Sequence, residues 1–92
     1  MAAMFTAQMA RRRGRWRLYV VLLNTRAAWP QRDLGGGAAV PTVQERSRAL
    51  NALGYALTDG AQWEWIEDSA TFDDPSSAVL LIASVTVREA TE

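Results

Sequence analysis

The residues in this sequence best equipped for chemistry are guanidiniums. Arg11, Arg12, Arg13, Arg15 and Arg17 place five arginines within seven residues, interleaved with Gly14 and Trp16. Positive charge at that density suits phosphate oxygens, and an indole among the charges suits stacking on a base, so these five are the candidate nucleic-acid contacts. The competing reading is a solvated arginine-rich end on an otherwise acidic domain, which would repel a polyanion. The acids are the second set: Glu64, Glu67, Asp68, Asp73 and Asp74. A general acid/base pair or a magnesium site needs carboxylates on one side, but Glu64 and Glu67 have opposite parity on a strand. Asp73 and Asp74 precede Pro75 in a loop, where solvated carboxylates are the ordinary finding. Gly35-Gly36-Gly37 lacks the spacing and the following lysine of a phosphate loop. No catalytic residue, metal ligand or cofactor contact is assigned on these grounds.

Composition narrows the chemistry further. The 92 residues contain no cysteine, which excludes disulfides, thiolate catalysis and cysteine-ligated zinc. They contain no histidine, which removes the commonest general base and the usual nitrogen ligand for transition metals. The expectation is a non-enzymatic protein. All ten basic residues are arginine in an alanine-rich chain, as a GC-rich genome would produce. Net charge is zero but polarised: residues 1–46 carry eight arginines against Asp33 and Glu45 (8 − 2 = +6), and residues 47–92 carry Arg48 and Arg88 against eight acids (2 − 8 = −6). Such asymmetry marks a basic arm for an acidic partner, or halves that attract within one fold or between two copies. Arg11–Arg13 before Trp16–Leu23 loosely imitates a secretory leader, but Arg17 interrupts the apolar part and no apolar run approaches the ~20 residues of a membrane span. A cytoplasmic protein without membrane contact is expected.

The elements that would hold these residues begin with Ala78–Val87, the longest run of strand-formers. Val79, Leu81, Ala83, Val85 and Val87 share one face, and Leu80, Ile82, Ser84 and Thr86 the other. Trp16–Leu23 alternates likewise, with Trp16, Leu18, Val20 and Leu22 opposite Arg17, Tyr19, Val21 and Leu23, and is expected beside Ala78–Val87. Residues 1–14 read as a flexible basic arm, with Met9 as a second start site, and residues 15–90 as a single domain. Residues 24–40 read as a glycine-rich loop carrying Trp29, which is either tucked against the core margin or offered to a partner.

A helix follows. Thr42 is a suitable N-cap, Glu45 completes a capping box, and Gly54 supplies the left-handed exit. Val43, Ala49, Leu50 and Leu53 form its buried stripe, and Arg46 falls in the middle of it. Arg46 either snorkels past Leu50 and Leu53 to water or pairs with Glu64 or Glu67. Thr58-Asp59-Gly60 predicts a hairpin pairing Tyr55 with Trp63 and Leu57 with Ala61, which places Trp16, Trp63 and Trp65 in the core rather than on a stacking platform.

From about Gly14 to Glu89 the chain resembles a family of short uncharacterised proteins from high-GC actinobacteria, a domain of unknown function. The resemblance is carried by GRWRLYVVLL, by PTVQERSRALNALGY and by QWEWIED. It implies no activity, cofactor or site residue.

The expected architecture is therefore α+β: a small four-stranded sheet in β-α-β-β-β order with one helix packed on one face. A helix ~10 Å across covers about two strands. The opposite face would then expose Tyr19, Val21, Leu23, Ile66, Leu80 and Ile82, a candidate protein interface for another copy or a protein partner. The expected function is a binding or assembly module acting through that face, with nucleic-acid binding through Arg11–Arg17 as the alternative and a carboxylate hydrolase third.

Overall fold

A computed structural model describes residues 3–23, 26, 28–37, 39–69, 71 and 74–90. Its elements are β1 (Met4–Arg12), β2 (Arg15–Val21), β3 (Gln31–Gly36), α1 (Val43–Ala52), β4 (Tyr55–Leu57), β5 (Glu64–Ser69) and β6 (Val79–Glu89). The six strands form one curled antiparallel sheet, a half-barrel, with a single short helix. Across the sheet the order is β3-β2-β1-β6-β4, and β5 pairs with β6 as well. The expected four-stranded α+β sheet in β-α-β-β-β order is thus wrong in strand number, in order and in balance, since the fold is mostly β.

The largest correction concerns residues 1–14, which were expected to be a flexible arm. Residues 4–12 instead form the middle of the sheet, paired with β2 from Thr6↔Val21 to Arg12↔Arg15 and with β6 from Met4↔Arg88 to Ala10↔Ile82. Phe5, Ala7 and Met9 alternate toward the core while Thr6 and Gln8 face outward, the period of a strand. Arg13 and Gly14 link β1 to β2 in a two-residue turn, both with positive φ, +53° and +77°. That pairing of angles matches the twist of the flanking strands. The glycine adopts it freely, whereas the arginine pays a steric cost of about 1–2 kcal/mol.

Two further expectations change. The glycine-rich loop expected over 24–40 contains β3, an edge strand whose backbone pairs with β2 with a bulge at Trp16/Arg17. Residues 24, 25, 27 and 38 lie outside the described part. The hairpin at Thr58–Gly60 does not form either. A turn does close there, with Ala61 N–H donating to the Thr58 carbonyl at 3.0 Å. It returns the chain to the same edge of β6, so that Tyr55 lies opposite Glu89, Leu57 opposite Val87, and Glu64–Ser69 opposite Ser84–Val79. Strands β4 and β5 behave as one interrupted strand along β6.

The core lies in the concave face. Met9, Leu18, Val20, Leu50 and Val87 are its largest fully buried side chains, each worth about 1.5–3 kcal/mol on burial. Registers Ala7↔Val20 and Ala7↔Val85, then Met9↔Leu18 and Met9↔Ala83, bring β2, β1 and β6 into common layers. The helix closes the cup with Ala49 and Leu50. Its start is as expected: Thr42 Oγ1 accepts from Glu45 N–H at 3.1 Å, and Glu45 returns a carboxylate oxygen to Thr42 N–H at 3.3 Å. Gly54, at φ +92°, supplies the left-handed exit. Val43 is more than half exposed, so the buried stripe begins one turn later than its pattern implied.

Arg46 follows neither course expected of it. It is buried rather than snorkelling, and no acid pairs with it among the described residues. Its Nε donates to the Pro41 carbonyl at 2.9 Å, and its guanidinium carbon lies 4.9 Å from the ring centre of Trp63 and 5.9 Å from that of Trp65. Two indole faces and a carbonyl take the place of a carboxylate. Burial lowers its pKa from the ordinary arginine value.

Candidate functional site

The convex face is read from the strand registers. One row runs Glu64, Ser84, Gln8, Tyr19, Gln31; the next runs Ile66, Ile82, Ala10, Arg17, Asp33; a third joins Thr86, Thr6 and Val21. The six residues expected to form one apolar interface do lie on this side, but β1 divides them. Val21 is separated from β6 by Thr6, and Tyr19 from β6 by Gln8. Tyr19, Val21, Leu80 and Ile82 are each half-buried, Ile66 is half exposed, and Leu23 is largely exposed beyond the end of β2. The premise that β2 lies directly beside β6 produced the continuous apolar surface, and the intervening polar strand removes it.

The arginines, by contrast, converge. Arg12, Arg13, Arg15 and Arg17 line a single depression of about 400 Å³ together with Ala10 and Tyr19. A second of about 400 Å³ adjoins it, sharing Arg12, Arg17 and Tyr19 and adding Trp29 and Gln31. The β1–β2 turn and the pleat bring this about, because positions 12, 15 and 17 fall on the outer side of paired strands and position 13 on the turn that joins them. Arg11 has the other parity and lies opposite Trp16, so it leaves the group.

Tyr19 and Trp29 form an aromatic step at the edge of this basic surface. Their ring centres are 6.1 Å apart and their planes 21° from parallel. Tyr19 donates from its hydroxyl to Gln8 Oε1 at 2.9 Å, and Trp29 donates Nε1–H to the Leu22 carbonyl at 2.8 Å, so both rings are held before anything binds. Burial raises the Tyr19 phenol pKa above its ordinary value, while the Arg12 charge works in the opposite direction. Trp29, read from the sequence as either tucked against the core margin or offered to a partner, is 42% exposed and stacks on Tyr19. Its signal was an isolated Trp-Pro in a polar segment, which does not disclose the Tyr19 it stacks on.

Charge in the patch is only partly neutralised. Arg15 Nε donates to Asp33 Oδ2 at 2.9 Å, the one ion pair among the described residues, and Arg17 donates to Gln31 Oε1 at 3.4 Å. The Arg15 hydrogen bond, then the Gly35 N–H, hold the Asp33 carboxyl below its usual range, and Asp33 in turn raises Arg15. Arg12, Arg13 and Arg17 form no ion pair among the described residues, although Asp33 lies across the sheet from Arg17 and is stabilised in part by its charge. The acids of β5 are on the far side of β6 and β1 from β2, three strand spacings or about 14 Å away. That exceeds the roughly 8 Å screening length at physiological salt, so the repulsion expected of an acidic body is damped.

The acids do not assemble. Glu64 lies opposite Ser84 and Glu67 opposite Leu81, on opposite faces of β5, and Asp73 lies outside the described part. Among the described residues no three acids gather as a metal-holding group. No described helix is long and apolar enough to cross a membrane.

Fold and surface together define a small half-barrel with a basic, aromatic-edged outer face. The chain belongs to the Family of unknown function (DUF6303), which matches residues 3–92. This bears out the resemblance to a domain of unknown function and extends it across β1. No curated protein and no solved structure matches the chain.

Proposed function

We propose that the protein is a non-enzymatic binding module whose outer sheet face takes a single-stranded polyanion, most simply nucleic acid. The supporting observation is the convergence of Arg12, Arg13, Arg15 and Arg17 on one depression that runs into the preset Tyr19–Trp29 stack. Clustered guanidiniums with an aromatic step beside them are the two ingredients of sequence-tolerant single-strand binding. The strained left-handed Arg13 adds to the case, since a turn selected for stability alone would carry glycine or asparagine there. The arginine-only basic complement suits the high-GC actinobacterial source that the sequence resemblance implies, and a cytoplasmic location suits the ligand.

Titrating the labelled protein with a ten-nucleotide oligothymidine and following backbone and indole resonances tests this. Shifts confined to β2, the β1–β2 turn and Trp29 Nε1–H are expected. Shifts at Glu64–Asp68, or none, would discard the reading.

A second reading, assembly through protein contacts, rests on exposed apolar residues along the β5–β6 edge: Val79 and Leu81 on one face and Ile66 on the other, each at least 45% accessible. Another copy could cover that edge, and its acidic neighbours Glu64, Glu67 and Asp68 complement the basic β2–β3 side. Light scattering at low and high salt tests this: a mass above the monomer that falls with salt supports it, and a monomer throughout rejects it.

A further inference from the structure

The depression of about 400 Å³ beside the aromatic step holds more than charge. Arg12, Arg17, Tyr19, Trp29 and Gln31 line it, and each is exposed or half-buried, within reach of a ligand. On the convex face Tyr19 stands between two glutamines, Gln8 across from it on β1 and Gln31 across from it on β3. Both amides have their oxygens in use. Tyr19 donates its hydroxyl to Gln8 Oε1, and Arg17 Nη1 donates to Gln31 Oε1. A guanidinium has no acceptor, so Gln31 must turn its oxygen to Arg17, which leaves the two N–H donors of Nε2 for other partners. Gln31 Nε2 makes no hydrogen bond among the described residues. The carboxylate of β3 does not change this balance. Asp33 Oδ2 takes Arg15 Nε, its Oδ1 takes Gly35 N–H at 2.7 Å, and Asp33 is not among the lining residues. The one lining side-chain acceptor not already engaged is the Tyr19 hydroxyl oxygen, set against donors from Arg12, Arg17 and Gln31.

Nucleobases differ in what they present to such a set. Thymine, uracil and guanine carry a carbonyl oxygen where cytosine and adenine carry an amino group. The carbonyl accepts from a waiting donor, whereas the amino group meets only donors and loses the hydrogen bond it had with water. We infer that this depression is a base subsite that prefers keto bases (thymine, uracil, guanine) over amino bases. The base stacks on the exposed Trp29 ring, and its carbonyl accepts from Gln31 Nε2. Gln31 is then the residue that sets specificity, and Arg17 is a positioning residue that decides which end of the amide the base meets. The inference rests on the polyanion reading above and adds a base preference to it.

Oligothymidine and oligodeoxycytidine of equal length carry the same phosphates, so the ratio of their affinities at a fixed salt concentration isolates the base. Oligothymidine is expected to bind about fivefold tighter, the lower end of what a base-edge contact gives. Gln31→Leu should make the two equal. Gln31→Glu, nearly the same shape with acceptors in place of donors, should leave them equal or favour oligodeoxycytidine. Arg17→Ser weakens both through lost charge and should also shrink the ratio, because it releases the amide. Salt-dependent binding of both strands with equal affinity to the native protein would overturn the base preference and leave the polyanion surface standing. Binding of neither strand would remove both. Tighter oligodeoxycytidine, or a thymine preference that survives both Gln31 variants, would overturn the assignment to Gln31.

Discussion

Arg46 and Arg17 carry the same side chain into opposite circumstances, and the contrast separates structural charge from charge available for binding. Arg46 is enclosed, its guanidinium set against two indoles and a carbonyl, and burial lowers its pKa. Arg17 is exposed on the convex face, donating to Gln31 at 3.4 Å with Asp33 across the sheet from it. Their positions in the elements account for the difference. Arg46 sits three and four residues before Ala49 and Leu50 on the helix stripe, so the fold must either expose that stripe or accommodate the cation. Arg17 alternates with Trp16 and Leu18 on a strand, so its neighbours are buried because it is not. One arginine holds the lid on the cup, and the other is part of a surface.

The sharpest way to break this contrast is to remove each arginine in turn. Arg46→Ala should cost about 2–4 kcal/mol of unfolding free energy in urea, through loss of the stem packing, the cation–π contacts and the bond to Pro41. Arg46→Met, which keeps the stem, should recover about half of that. A cost below 0.5 kcal/mol for Arg46→Ala would mean that the guanidinium is not structural. Thr42→Ala removes the cap of the helix that carries Arg46 and should cost about 1 kcal/mol, read from the same urea midpoints. Arg13→Asn should go the other way. By relieving the left-handed strain it should raise stability by about 0.5–1 kcal/mol while weakening oligonucleotide binding, a trade of strain for charge. Arg17→Ser and Arg12→Ser should stay within about 0.5 kcal/mol of the native stability.

Titration probes the patch more finely. Arg12→Ser removes the charge that holds the Tyr19 phenol down, so an ultraviolet titration should find its pKa higher than in the native protein. The Arg15–Asp33 pair has a definite direction with pH. The folded carboxyl is depressed, so its contribution is present above the unfolded carboxylate's pKa and disappears as pH falls through the folded value. Carbon-detected titration of Asp33 should move toward the ordinary value in Arg15→Ser.

Parts of this architecture are legible in the sequence because their signals are local. Thr42 with Glu45 writes the helix start, Gly54 writes its end, and Ala78–Val87 announces a strand by uninterrupted β-formers. Strand β1 is not legible in that way. Its alternation is spelled with Ala7, Gln8, Met9 and Ala10, residues at ease in a helix, and only pairing on both sides makes it a strand. Gln31–Gly36 has no apolar period and is a strand because β2 offers it an edge. The turn at Thr58–Gly60 is written locally, but the strand it delivers is chosen by β6 over twenty residues away. Missing β1 moved β2 next to β6, and that single error turned a divided surface into a continuous apolar one. The arginine patch was half legible: the run of charges is plain, while the separation of Arg11 from the other four needed the turn at Arg13-Gly14.

The most direct test of the central claim is the salt dependence of oligothymidine affinity in the native protein and in Arg12→Ser/Arg13→Ser/Arg17→Ser. With the three arginines that form no ion pair meeting phosphates, log affinity against log salt should fall with a slope of about −2 in the native protein, and the triple variant should bind too weakly to give a slope. Binding that ignores salt, or that survives the triple substitution unchanged, would contradict the assignment of the convex face as a polyanion surface.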